Sequence, residues 1–300
     1  MLFQARPSNG GLAKAGSRRS LVHQEGVRGV MDQTAESRVR LKQADIHEQW
    51  ENDYLNPEMD RFYTLAFDRI VAELGDTRGK RILDVGCGYC YHTTRLAQRG
   101  LTITAVDFSE VALAHAKENL AKSGIADRVT LQQADATNLP FEDTSFDHVL
   151  MWGVLMHVPQ AEKALSELSR VLKPGGKLAL SETNARSLEV MFVEPTIEFL
   201  RRLIGRDARR RNRTPLGIEE WQGAEQGGLL VRKTDMSALE YYCRTIGLNL
   251  KERIAGEFTQ IYTRLPGAAL KRAVYAFNRA YFRSGPPGPA LGNILIFEKK

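Results

Sequence analysis

No apolar run in the 300 residues is long enough to cross a bilayer, which excludes a membrane-spanning helix. Cysteine is scarce. Cys87, Cys90 and Cys243 cannot build a disulfide framework, so a reducing cytoplasm is the expected compartment. A large charge excess is missing as well, since the net charge is only +6 and residues 1–30 carry Arg6, Lys14, Arg18, Arg19 and Arg28 against Glu25. With four of the six charges in that stretch, the remainder is nearly balanced, and its composition gives little reason to expect a nucleic-acid partner. The same thirty residues lack a sustained apolar period and a secretory apolar core. They are expected to form a flexible, dispensable basic tail, with Met31 a candidate alternative start. There is no internal repeat, and nothing in the sequence sets an oligomeric state.

What is present suits one large α/β domain over residues 31–300. Between Leu41 and Leu74, Trp50, Tyr54, Phe62, Leu65, Ile70 and Leu74 recur at roughly helical spacing around Pro57, which predicts two leading helices. From Arg81 onward, β-branched runs alternate with amphipathic ones. Strands are predicted at 81–86, 101–107, 129–135, 146–152 and 177–182, with Lys173-Pro174-Gly175-Gly176 as a turn before the fifth. Such alternation implies a Rossmann-like, mostly parallel sheet with helices on both faces. This core spans about 80–184, and a lid-like insertion follows over about 185–232. The segment 233–300 completes the sheet to seven strands and contributes a second helical insertion near 267–282.

The informative stretch is Asp84-Val85-Gly86-Cys87-Gly88-Tyr89-Cys90, placed where a strand gives way to a helix. Glycines there allow close backbone approach to a ligand at the rim where open parallel sheets bind. A dinucleotide fingerprint would put Gly or Ala three residues after Gly88, where this chain has Tyr91. Asp84 would also repel a pyrophosphate at the helix N-terminus, while suiting a ligand with a cationic end. S-adenosylmethionine is such a ligand and carries no phosphate. Asp107 ends the second strand, where a carboxylate can accept both ribose hydroxyls. Asp135 ends the third and can accept the adenine amine, with Phe108 available to cover the ring.

Together, Ile82–Gly88, Asp107, Asp135-Ala136, Phe146-Asp147 and Val171–Gly176 resemble the class I S-adenosylmethionine-dependent methyltransferases, within them the bacterial small-molecule group. The resemblance covers roughly residues 80–182. It implies that Gly86 and Gly88 floor the methionine portion, that small Cys87 lines the same loop, and that Asp84 orients the ammonium. It further implies that Asp107 holds the ribose, Asp135 and Ala136 the adenine, and the backbone around Met151 and Trp152 the methionyl amine. Many members have a third glycine where this chain has Cys90, and a small residue there should preserve binding with a slightly altered loop.

Other features have bland readings beside sharp ones. Cys87-x-x-Cys90 lacks ligands for zinc, so no metal is expected. His157, just past the fourth strand, is either a general base or a structural histidine. Trp50 and Tyr54 either fold over the cofactor or pack the leading helices. Arg201, Arg202, Arg206, Arg209, Arg210, Arg211 and Arg213 read first as a solvated face, then as a clamp for an anionic acceptor, a nucleic-acid contact or a surface for an anionic membrane. The expected acceptor is a small molecule, with anionic and lipid-linked compounds among the candidates. An RNA or protein methyltransferase and a non-catalytic S-adenosylmethionine-binding protein are the alternatives. For the first, Met151-Trp152-Gly153-Val154 stands where an Asn-Pro-Pro-Tyr-like motif would be.

Overall fold

The computed structural model describes Val39, Leu41 and residues 54–203, 210–222 and 228–300. The expected tail over 1–30, Trp50, Arg206 and Arg209 lie outside the described residues. Seven strands form one sheet: β1 (Ile82–Val85), β2 (Ile103–Asp107), β3 (Val129–Gln133), β4 (Phe146–Trp152), β5 (Leu172–Thr183), β9 (Leu248–Ala255) and β10 (Gly292–Lys299). Their order is β3-β2-β1-β4-β5-β10-β9, with only β10 antiparallel to its neighbours. This is the Rossmann-like arrangement the sequence implies. The order reverses between β1 and β4, which opens a crevice at the C-terminal ends of the parallel strands.

Alternate residues of each strand face opposite sides, so the sheet separates two cores. Ile82, Ile294 and Ile296 join one with the helices Pro57–Leu74, Tyr91–Gln98, Glu110–Lys122 and Ala268–Ser284. Leu83, Val85, Leu295 and Phe297 join the other with the helices Ala161–Val171 and Met236–Thr245. Each wholly buried Leu, Ile or Phe contributes about 1.5–3 kcal/mol.

Local chemistry sets the helix ends. Pro57 is the first residue of its helix, and the Asn56 side chain caps it by accepting from the Glu58 and Met59 amides. Ser109 caps the next but one in the same manner, through the Ala112 amide.

Two departures from expectation have physical causes. Lys173–Gly176 is no turn, because β5 runs unbroken from Leu172 and absorbs these residues as a bulge opposite Asp147. Asp147 holds the bulge by accepting from the Arg81 amide at 2.9 Å and from Lys173 Nζ at 3.0 Å. The insertion is also less helical than expected. After a π-turn (Glu189–Val193) and the helix Glu194–Leu203, it forms an antiparallel sheet of β6 (Arg210–Thr214), β7 (Gly217–Gln222) and β8 (Leu229–Thr234).

This small sheet is seated on the turn after β4 by a buried cation. Arg232 donates to the carbonyls of Leu155 at 3.0 Å and Pro159 at 3.3 Å, and pairs with Glu219. Among the described residues no helix is long and apolar enough to cross a membrane.

Candidate active site

The chain leaves β1 at Val85 and turns through Gly86 at a φ of +76°. A Cβ at Gly86 would lie 2.5 Å from a Val154 methyl, so both the backbone conformation and the space require glycine. The Gly86 and Cys87 amides donate to the Val106 carbonyl at 2.8 and 3.0 Å, which ties the loop to β2. Asp107 organises the rest: its Oδ2 accepts from the Gly88 amide and its Oδ1 from the Ser109 amide, each at 2.9 Å. Cys90, at the position of the family's third glycine, takes a left-handed conformation with φ 62°. Burial of its side chain in the core accompanies that strain.

Beneath this loop lies Asp84, buried, accepting from Thr93 Oγ1 at 2.6 Å. Burial raises its pKa to about 7, opposed by the Thr93 hydrogen bond and reinforced by the charge of Asp107. Among the described residues no salt bridge reaches Asp84. Two carboxylates gathered under a loop suit a ligand bearing positive charge and would reject a pyrophosphate.

Two adjoining cavities open above the loop and share Leu41, Gly86, Asp107, Phe108, Val154 and His157 as walls. The smaller, of about 80 Å³, is completed by Ala134, Asp135, Ala136 and Thr137. There the Asp135 Oδ1 accepts from the Thr137 amide and hydroxyl, both at 2.9 Å. The larger, of about 620 Å³, extends from Cys87, Gly88 and Trp152 to the insertion.

The structure therefore brings Gly86, Cys87, Gly88, Asp107, Phe108, Asp135, Ala136 and Trp152 to one crevice. Asp84 lies under it without forming wall. The Met151 side chain is wholly buried in the core on the sheet's other side, while the backbone that follows it, from Trp152 to Val154, lines the crevice. Tyr54 reaches the larger cavity.

His157 sits in the wall with Nδ1 2.6 Å from the Leu230 carbonyl of β8. Burial pulls its pKa down to about 4, against the Leu230 hydrogen bond and with help from Arg232. A neutral ring donating Nδ1–H to that carbonyl is a seat for the insertion, and at pH 7 it is a weak base. His92, also in the wall, is lowered to about 3 by burial and then by Arg95, and it stacks on Phe67 at 5.2 Å.

The sequence reading missed the polar residues of the far wall: Glu182, Glu189, Glu194, Lys233, Glu257 and Arg264. Their positions gave no signal, because they come from five separate segments. Of the arginine cluster, Arg211 approaches the cavity residue Glu194 at 4.0 Å without itself forming wall. Arg211 is paired with Glu220 at 2.6 Å and Arg201 with Glu198 at 3.9 Å. The larger cavity's own cations already have partners, Lys233 with Glu194 and Glu220, and Arg264 with Glu189 at 3.8 Å. Among the described residues no group of three or more His, Cys, Asp or Glu is arranged to hold a metal.

A family model described as "Methyltransferase domain" matches residues 83–180. A demethylmenaquinone methyltransferase of Clavibacter sepedonicus is 31% identical over 203 residues, which is 66% of this chain and 80% of that protein. A 27-O-demethylrifamycin SV methyltransferase of Amycolatopsis mediterranei is 33% identical over 137 residues, covering 45% of this chain and 50% of that protein. In fold, the chain is similar to an S-adenosylmethionine-dependent methyltransferase of Thermotoga maritima, with a TM-score of 0.54 at 18% identity over 86% of this chain and 96% of that one. The strand order, the glycine loop over paired carboxylates and a relative matched over four-fifths of its length agree: the chain belongs to the class I S-adenosylmethionine-dependent methyltransferases.

Proposed function

We propose that this chain moves the methyl group of S-adenosylmethionine onto a small molecule held in the larger cavity. The observation that carries this reading is the shared wall. The carboxylate-backed glycine loop and the 620 Å³ cavity meet at Gly86, Asp107 and Trp152, so a donor on the loop would present its methyl group to whatever fills that space. The demethylmenaquinone and demethylrifamycin in the relatives' names are small molecules of the kind that could occupy it.

Bound there, the donor supplies a methyl group already activated on a sulfonium, so the protein's work is alignment and exclusion of water. Asp107 would accept the ribose hydroxyls, Asp135 and the Ala136 backbone would meet the adenine, and Phe108 would cover it. Gly86, Cys87 and Gly88 would floor the methionine portion, and the backbone from Trp152 to Gly153 would receive its amine. Asp84 would act on the ammonium from beneath the loop. Carboxylates outnumber cations along the far wall, and those cations are already paired, which favours an uncharged acceptor over an anionic one.

Isotope from methyl-labelled S-adenosylmethionine should pass into a metabolite extract of a strain lacking this protein. Label entering only RNA or protein would overturn the small-molecule reading. The Asp84 assignment has its own signature. A cationic ligand favours the ionised carboxylate, so binding near pH 7 should release protons as the pKa falls from about 7. Affinity should accordingly weaken as pH drops below 7. Calorimetry of S-adenosylmethionine in buffers of different ionisation enthalpy reads this release, which Asp84→Asn should abolish.

A further inference from the structure

The carboxylates of the larger cavity differ in how well they are satisfied. Glu257 accepts from Tyr262 Oη at 2.8 Å on one oxygen and from Gln260 Nε2 at 3.1 Å on the other. Glu189 accepts from Thr259 Oγ1 and the Gln260 amide on one oxygen and faces Arg264 with the other. Glu194 is neutralised by Lys233. Glu182 stands apart. Its Oε2 accepts from Thr234 Oγ1 at 2.8 Å, while its Oε1 is buried without a hydrogen-bond partner among the described residues.

A buried carboxylate oxygen left open is costly, and in the wall of a cavity a bound molecule can supply the missing donor. Its position suits the reaction. Ser181 pairs with Trp152 at the end of β4, and Glu182 is the next residue of β5, in the wall between the glycine loop and the insertion.

Building on the function proposed above, we propose that Glu182 is the proton acceptor of methyl transfer, its open Oε1 receiving the hydroxyl hydrogen of an uncharged acceptor. As the acceptor oxygen bonds to the methyl carbon, the carbon–sulfur bond breaks and sulfur keeps the electron pair, turning the sulfonium into a neutral thioether. The hydroxyl proton passes to ionised Glu182, which later returns it to solvent. Burial raises the Glu182 pKa to about 7, against the Thr234 hydrogen bond, the charge of Arg232 and a backbone hydrogen bond from Met156. That value suits a base working near neutrality.

The test compares the native chain with Glu182→Gln and Glu182→Asp. Calorimetry with S-adenosylhomocysteine measures donor-site binding, and label transfer to the extract component that the native chain methylates gives rates from pH 5.5 to 9. Glutamine should leave S-adenosylhomocysteine affinity within about twofold, cut turnover by roughly 10²–10⁴-fold, and remove the acidic limb with its midpoint near 7. Aspartate should restore part of the rate together with that limb, and it keeps the test decisive where the glutamine variant fails to fold. A folded glutamine variant turning over within about threefold of native, or keeping the acidic limb, would overturn the assignment. So would a native chain that binds S-adenosylhomocysteine yet labels nothing in the extract. A native chain that fails to bind S-adenosylhomocysteine strikes instead at the function on which the assignment rests.

Discussion

Arg232→Ala is expected to lower the stability of the protein by about 3–5 kcal/mol, read as a fall in denaturation midpoint, because it leaves Glu219 charged and buried without its partner. Arg232 is only 2% exposed, and its guanidinium also holds the Leu155 and Pro159 carbonyls. Arg232→Met should cost nearly as much, since Glu219 is again orphaned. Adding Glu219→Gln to Arg232→Met should recover part of the loss, and strictly additive effects would refute a coupled pair. Because the same contacts seat the insertion, the single variants should also lose methyl transfer more than they lose S-adenosylhomocysteine binding.

Asp107→Ala should weaken S-adenosylmethionine binding by about 1.5–3 kcal/mol for a charged acceptor lost, roughly ten- to 150-fold in the dissociation constant. Two contributions add here. The ribose would lose its acceptor, and the Gly88 and Ser109 amides would lose the carboxylate that shapes the loop. Asp107→Asn separates them, since an amide oxygen can keep one of these bonds. It should therefore bind more tightly than the alanine variant and more weakly than native. An alanine variant with native affinity would show that the ribose lies elsewhere.

The parallel core was legible because its signals are local. The run from Ile82 to Gly88, the Ser109 cap and the apolar face of Ala161–Val171 each declare themselves within a few residues. The crevice followed, since acids at successive strand ends must meet on one rim. The small antiparallel sheet was hidden for the opposite reason. Beside Trp221, Leu229 and Leu230 it buries Glu219, Glu220, Arg232 and Lys233 in ion pairs, and such charged residues read as solvated surface in a sequence. His157 was ambiguous because the carbonyl that fixes its ring is 73 residues away. The two-residue period of β4 sends the Met151 side chain to the far core and leaves only backbone for the crevice at that position.

The short turn after β4 has two employers. Its Val154 methyls rest against Gly86, while the Leu155 and Pro159 carbonyls are gripped by Arg232 and the His157 ring by Leu230. Whatever settles on the glycine loop thus lies beside the footing of the small sheet. If donor and acceptor bind as proposed, filling the first site should stiffen one wall of the second, so that the two guests enter in a preferred sequence, donor ahead of acceptor.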